Sequence, residues 1–258
     1  LFSAAKEVHV VNADDEHVSF FLQFSAKKKY LYSAEQRGEG RILGESLESD
    51  EKGVRFAVEG VRFKLPLLGS FNAYNALAAI AAARSQNIPF KTARKALERM
   101  ERVPGRMEEV VSSPFRVIVD YAFTPAALEK VYQALKSEGK LICVLGAAGG
   151  GRDAWKRPVL GEIASRYCDA AFITNEDPYD EDPRKIMEEV AAGTKGKAKI
   201  IPDRREAIAQ ALTLAQAGDT VVITGKGSED SIAEKGKKIP WDDRDVAREE
   251  FEKRKRPS

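Results

Sequence analysis

The chain has 258 residues, and 42 Lys and Arg against 40 Asp and Glu give a formal net charge of +2. That near balance gives no reason to expect nucleic acid or an anionic membrane surface as a partner, and a 43% hydrophobic, 32% charged composition is that of a globular protein with one large or two modest domains. The longest unbroken apolar run, 76–83, is far too short to cross a membrane, which takes roughly 20 residues.

The first hundred residues alternate short β-like pieces with turns: 8–12, 18–24, 30–35, 54–60 and 61–67. In 18–24, Val18, Phe20 and Leu22 alternate with Ser19, Phe21 and Gln23, a period of two that predicts a strand. From Ser70 the pattern changes to FNAYNALAAIAAARSQN, an Ala- and Leu-rich helix with Ser70 or Asn72 as its N-cap, and a second helix follows Pro89. No basic start followed by an apolar stretch reads as a signal peptide. The chain opens on Leu1-Phe2 and enters a strand within a dozen residues, so it reads as one that has lost an upstream portion.

A turn at Val103-Pro104-Gly105 starts a different rhythm, and the domain boundary is expected near residue 102. Val- and Ile-rich runs at 115–120, 140–146, 169–175, 198–203 and 219–225 are separated by helical stretches at 126–137, 158–167, 183–191 and 204–217. Strands alternating with such helices predict an α/β fold with a doubly wound, mostly parallel sheet over 103–258. The last segment, WDDRDVAREEFEKRKRPS, reads as a polar helix ending in a solvated basic tail. Cys143 and Cys168 lie in apolar contexts with no CxxC spacing, so neither a disulfide nor a cysteine-based zinc site is expected, and a reducing, cytoplasmic compartment fits.

In an open α/β sheet, ligands bind outside the carboxyl ends of the strands. Asp120 ends one strand, where it can accept from a ribose or orient a metal. Capping the next helix is the plainer role, although Thr124 before Pro125 suits that better. Another strand runs into GAAGGGRD, where glycines expose backbone and Arg152 can hold a carboxylate or phosphate with two N–H groups; a flexible loop with an exposed arginine is the alternative. A third strand ends in TNEDPYDEDP, and so many carboxylates would repel one another unless a cation, a metal or an amine-bearing substrate neutralised them. Capping accounts for Asp182 but not for Glu176 and Asp177. The last strand ends in GKGSE, with Glu229 placed to pair with an ammonium. His9 and His17 both fall among the first strands, so the second region has no histidine for acid–base work, and no metal-ligand spacing occurs.

GSFNAYNALAAIAAA (69–83), VPGRMEEV (103–110), VDYAFTPAALE (119–129), GRDAWKRPVLGEIA (151–164), TNEDPYDEDP (174–183), PDRREAIAQA (202–211) and GKGSED (225–230) stand in the order found in Mur ligases. The chain resembles that family from about residue 8 onward, and within it the MurE type, the UDP-N-acetylmuramoyl-tripeptide synthetases. The resemblance implies the latter part of a central ATPase domain over 1–102, followed by a Rossmann-like C-terminal domain over 103–258. It implies a cytoplasmic, monomeric, ATP- and Mg2+-dependent ligase that adds a diamino acid to UDP-N-acetylmuramoyl-L-alanyl-D-glutamate through an acyl phosphate. Asn72 and Asn75 would then line the nucleotide, Arg106 would reach its phosphates as the catalytic arginine, and Asp120 would sit at the nucleotide. Arg152, Glu176, Asp177, Tyr179, Gly225 and Glu229 would hold the amino acid, with Arg152 on its carboxylate and Glu229 on its amine.

Three departures stand out. Phe123 replaces the histidine of DYAHTP, and Ser228 replaces that of GKGHE. Tyr179 stands where meso-diaminopimelate enzymes carry the arginine of DNPR, which favours L-lysine or ornithine, drawn by Glu176, Asp177 and Asp180. The phosphate loop GxxxxGK followed by Ser or Thr is not found in the chain, so the chain alone is expected to be inactive. The alternative reading is a non-catalytic, ligase-like module that binds an amino acid or nucleotide and regulates a partner.

Overall fold

The computed structural model describes residues 1–36, 38–50 and 52–255; the end of the basic tail lies outside them. The chain divides into two compact units, Leu1–Arg102 and Val103–Ser258.

The first unit contains β1 (Val8–Asn12), α1 (Val18–Leu22), β2 (Lys28–Ser33), β3 (Arg41–Leu43), β4 (Glu45–Asp50), β5 (Gly53–Val58), β6 (Val61–Leu65), α2 (Phe71–Ser85) and α3 (Phe90–Glu98). Strands β1, β2 and β3 form a parallel sheet, and β4, β5 and β6 an antiparallel one. Helix α2 places Ala73, Ala76, Leu77, Ile80 and Ala81 in a core with Val54, Phe56, Phe63 and Leu65. Its alanines let the backbone come close to the sheets at little cost in side-chain entropy.

Residues 18–22 are helical and correct the predicted strand. Asp15 turns the chain there, its side chain accepting from the His17 N–H at 2.9 Å and its carbonyl from the Val18 N–H at 3.0 Å. No residue of α1 is fully buried; Phe20 packs edge-on against Phe21 and Phe24, and Phe21 packs at a tilt against Phe2. The alternation in sequence therefore reflects aromatic clustering, not the two faces of a sheet. His17 is the residue before this helix and not part of a strand, whereas His9 lies in β1.

The second unit runs β7 (Glu108–Val111), β8 (Arg116–Asp120), α4 (Pro125–Leu135), β9 (Leu141–Leu145), α5 (Lys156–Tyr167), β10 (Ala170–Ile173), α6 (Pro183–Gly193), β11 (Ala198–Ile200), α7 (Arg204–Leu214), β12 (Thr220–Thr224), β13 (Ser231–Glu234), β14 (Lys237–Pro240) and α8 (Asp243–Lys255). Its six-stranded sheet has the order β11-β10-β9-β12-β8-β7, parallel except for β7. The chain moves outward from β8 to β9, β10 and β11, then returns through α7 to place β12 between β9 and β8. That reversal sends α7 to the opposite face from α4, α5 and α6 if every crossover is right-handed. Accordingly α4, α5 and α6 pack in series, while α7 packs on α8. Val117, Val119, Ile142, Val144, Val221 and Ile223 form one core with Ile208, Leu212, Val246 and Phe251 from α7 and α8.

Cys143 of β9 and Cys168, the residue after α5, form a disulfide with a Cα–Cα separation of 6.1 Å. This corrects the expectation of two unpaired thiols. The helix returns along its sheet, so residues 25 apart in sequence meet where β9 lies against the end of α5.

Candidate functional site

The reversal at β12 brings the carboxyl ends of β8, β9, β10 and β12 to one edge of the second unit, the position at which α/β sheets bind ligands. Asp120 ends β8 and is buried. Its two oxygens accept from the Met107 and Ala122 N–H groups, each at 2.7 Å. Burial raises its carboxyl above the usual range, against these bonds and the attraction of Arg106. Helix capping falls to Thr124, whose Oγ1 accepts from the Ala127 N–H with Pro125 at the first helical position.

After β12 the backbone passes through Gly225 at φ +110°, where a Cβ would run into the Glu176 carboxylate. Glycine is required there by both the conformation and the close approach. The Val103–Arg106 turn packs on the same loop: a Cβ on Gly105 would strike the backbone of Gly227 and Ser228. Arg106 lies over the Tyr121 ring at 4.4 Å, and the Tyr121 hydroxyl donates to Glu229 Oε1 at 3.0 Å. Lys226 Nζ donates to both Asp177 oxygens at 2.8 Å and sits 2.8 Å from Glu229 Oε2. Of the neutralising groups left open by the sequence, the structure supplies a cation, the protein's own Lys226, which offsets one of its two carboxylate partners.

Glu176 is 4% exposed, and its Oε2 has no hydrogen-bond partner among the described residues. Desolvation, reinforced by the Asp177 charge and opposed by Arg204, Lys226 and Lys156, raises its pKa to about 7. Behind it the buried Arg204 donates to Asp243 through Nε and Nη2, to the Asn175 carbonyl at 3.1 Å and to the Thr224 carbonyl at 2.9 Å. One guanidinium therefore fixes the ends of both β10 and β12.

Tyr179 adopts φ +52°, held by its N–H on the Ala233 carbonyl at 2.9 Å and by the Lys235 N–H on its own carbonyl at 2.7 Å. Exposed Arg152 reaches it, with Nη2 3.3 Å from the hydroxyl and the guanidinium 5.7 Å from the ring centroid. Asp180 is exposed. Phe123 lies under the Lys156 ammonium at 5.1 Å, and Ser228 is exposed.

Arg106, Asp120, Arg152, Glu176, Asp177, Tyr179, Gly225 and Glu229 all belong to this unit. Asn72 and Asn75 lie on α2 of the first unit. There Asn72 donates to the Leu68 carbonyl at 2.7 Å and accepts from Asn75 at 3.0 Å. Lys226, Arg204, Asp243 and Tyr121 were not singled out from the sequence; the two arginine-bearing and glycine-bearing motifs contain Arg204 and Lys226, but their partners are remote in the chain. Among the described residues no group of three or more His, Cys, Asp or Glu could hold a metal ion.

Residues 1–83 match the Mur ligase middle domain, and residues 105–227 match the Mur ligase glutamate ligase domain. The chain is 40% identical over 257 residues to the UDP-N-acetylmuramyl-tripeptide synthetase of Roseiflexus sp. (strain RS-1), covering 94% of this chain and 50% of that protein. It is also 40% identical over 249 residues to the UDP-N-acetylmuramoyl-L-alanyl-D-glutamate--2,6-diaminopimelate ligase of Aquifex aeolicus (strain VF5), covering 94% and 51%. A solved structure of a ligase of the latter name superposes with a TM-score of 0.60 at 30% identity, over 97% of this chain and 54% of that one. The chain spans about half the length of the curated relatives it matches.

Proposed function

Since the chain belongs to the Mur ligase family, we propose that it is part of an ATP-dependent amide ligase of peptidoglycan synthesis. ATP is the cofactor; it activates the D-glutamate carboxylate of UDP-N-acetylmuramoyl-L-alanyl-D-glutamate as an acyl phosphate. The amine of an incoming amino acid attacks that carbonyl, and phosphate leaves. Little covalent work falls to the protein, so catalysis is positioning and charge stabilisation. Asn72, Asn75 and Asp120 contact the nucleotide, and Arg106 is the catalytic cation at its phosphates. Arg152 takes the amino-acid carboxylate, Glu229 its amine, and Glu176, Asp177, Tyr179 and Gly225 shape the subsite. Magnesium would accompany the ATP phosphates; the described residues contain no group of acids that would hold it by themselves.

The observation that carries this reading is the edge of the second unit. Four glycine-rich or acidic strand ends meet there, with Glu229 held between Tyr121 and Lys226 and with exposed Arg152 on Tyr179. The amino acid is one with a distal amine, L-lysine or ornithine, rather than meso-diaminopimelate. Tyr179 offers no ion pair to a second carboxylate, so diaminopimelate would lose the charged partner that the arginine of DNPR supplies. The enzyme is cytoplasmic, where its UDP-linked substrate would be met, although the Cys143–Cys168 bond is uncommon in a reducing compartment; no helix among the described residues is long and apolar enough to cross a membrane.

The test is phosphate release by the protein of the complete open reading frame with ATP, magnesium and the UDP-muramoyl dipeptide. Lysine, ornithine and diaminopimelate are supplied in turn. Release dependent on lysine or ornithine is expected, and equal efficiency with diaminopimelate overturns the amino-acid assignment. No amino-acid-dependent release from a folded, nucleotide-binding protein overturns the ligase reading in favour of a regulatory module. The 258-residue chain alone is expected to release none, because it has no GxxxxGK phosphate loop.

A further inference from the structure

Lys226 is 1% exposed, an uncommon setting for an ammonium. Burial lowers its proton affinity, but hydrogen bonds to Asp177 and Glu229 more than offset this and leave the pKa raised, so the charge persists. Its two partners come from different loops. Asp177 follows β10 and meets Nζ through both oxygens at 2.8 Å; Glu229 follows β12 and meets it through Oε2 at 2.8 Å. Asp177 Oδ1 also accepts from the Ala233 N–H at 2.7 Å, so both oxygens of this acid are engaged within the protein. Glu229 is different: Oε1 takes the Tyr121 hydroxyl and Oε2 takes Lys226, yet its side chain stays 40% exposed. It is oriented by two donors and still open to a ligand.

We propose that Lys226 is the positioning residue of the amine subsite, neutralising Asp177 and tethering Glu229 so that Glu229 alone faces the incoming ammonium. This inference rests on the ligase reading above and deepens it. Lys226, Asp177 and Glu229 together carry one net negative charge, which matches one substrate ammonium. Without Lys226 two like charges would share the pocket, and the loops after β10 and β12 would lose their shared ion.

The test uses the protein of the complete open reading frame. K226M/D177N removes both members of the buried pair, so no uncompensated buried charge remains, and it preserves the net charge of the trio. The expected result is an amino-acid KM raised about tenfold or more, with the ATP KM within about twofold and the urea midpoint near that of the wild type. K226R, which keeps a cation, should recover part of the loss. A double variant with an unchanged amino-acid KM, an equal rise in the ATP KM, or no recovery in K226R overturns the inference. Absence of amino-acid-dependent release from the wild type instead removes the ligase reading and this inference with it, so the two failures are distinguishable.

Discussion

Burial keeps the Glu176 carboxyl protonated up to a pH of about 7, against 4.5 in an unfolded chain. Below 4.5 both states hold the proton and the group is neutral in its effect. Between 4.5 and 7 the unfolded chain releases it while the folded chain retains it, so this group's contribution to stability falls as pH rises. Above 7 the full cost is present, of the order of 3 kcal/mol. E176Q should therefore flatten the profile: urea midpoints at pH 5 and pH 8 should differ less in the variant than in the wild type. An identical pH dependence in both would show that the carboxyl ionises freely. The acidic run TNEDPYDEDP was visible in the sequence, but not its sorting into a buried Glu176 of raised pKa, a lysine-paired Asp177 and an exposed Asp180. That sorting depends on Lys226 and Arg204, which lie 49 and 28 residues further along the chain than Asp177 and Glu176, respectively.

The central parallel strands β8, β9, β10 and β12 were legible because each carries an apolar run between clear breaks, as in the LICVL of β9, which is buried throughout. The short pieces were not. Helix α1 shows five residues without a buried face, and β13 and β14 pair only through a hairpin whose register no apolar alternation marks. Buried polar links also escape a linear reading. Arg204 and Asp243 are 2% and 0% exposed, and their pair joins the start of α7 to the start of α8 while holding the carbonyls that end β10 and β12. R204M should lose about 3–5 kcal/mol in urea unfolding, because Asp243 is left buried with only the Trp241 indole N–H among its side-chain donors here. R204M/D243L, which removes both charges, should regain a large part of that loss. A single variant within about 1 kcal/mol of the wild type would show that the pair is not a brace. The disulfide makes a related prediction: closing a loop of 25 residues, it should stabilise the chain by roughly 3 kcal/mol, measured as the urea difference with and without reductant.

At the scale of the molecule, the second unit contains what an independent domain needs. Its sheet is covered on both faces by its own helices, and its core draws on residues from Phe115 to Phe251. The Arg204–Asp243 and Lys226–Asp177 pairs and the Cys143–Cys168 bond are all internal to it. Its length is within the range in which a single core suffices. We therefore propose that residues 103–258 form a separate domain, and that this segment expressed alone will unfold in urea in one cooperative transition. Circular dichroism and tryptophan fluorescence should follow the same curve, since Trp241 reports on the α8 junction through its bond to Asp243, the second tryptophan, Trp155, is already exposed in the folded chain, and the backbone signal reports on the sheet. Non-coincident curves would mean that the sheet and the α8 brace come apart separately. A chain without a transition would mean that its core needs the first unit to form, and the division at Arg102 would then mark two units of structure and not two units of folding.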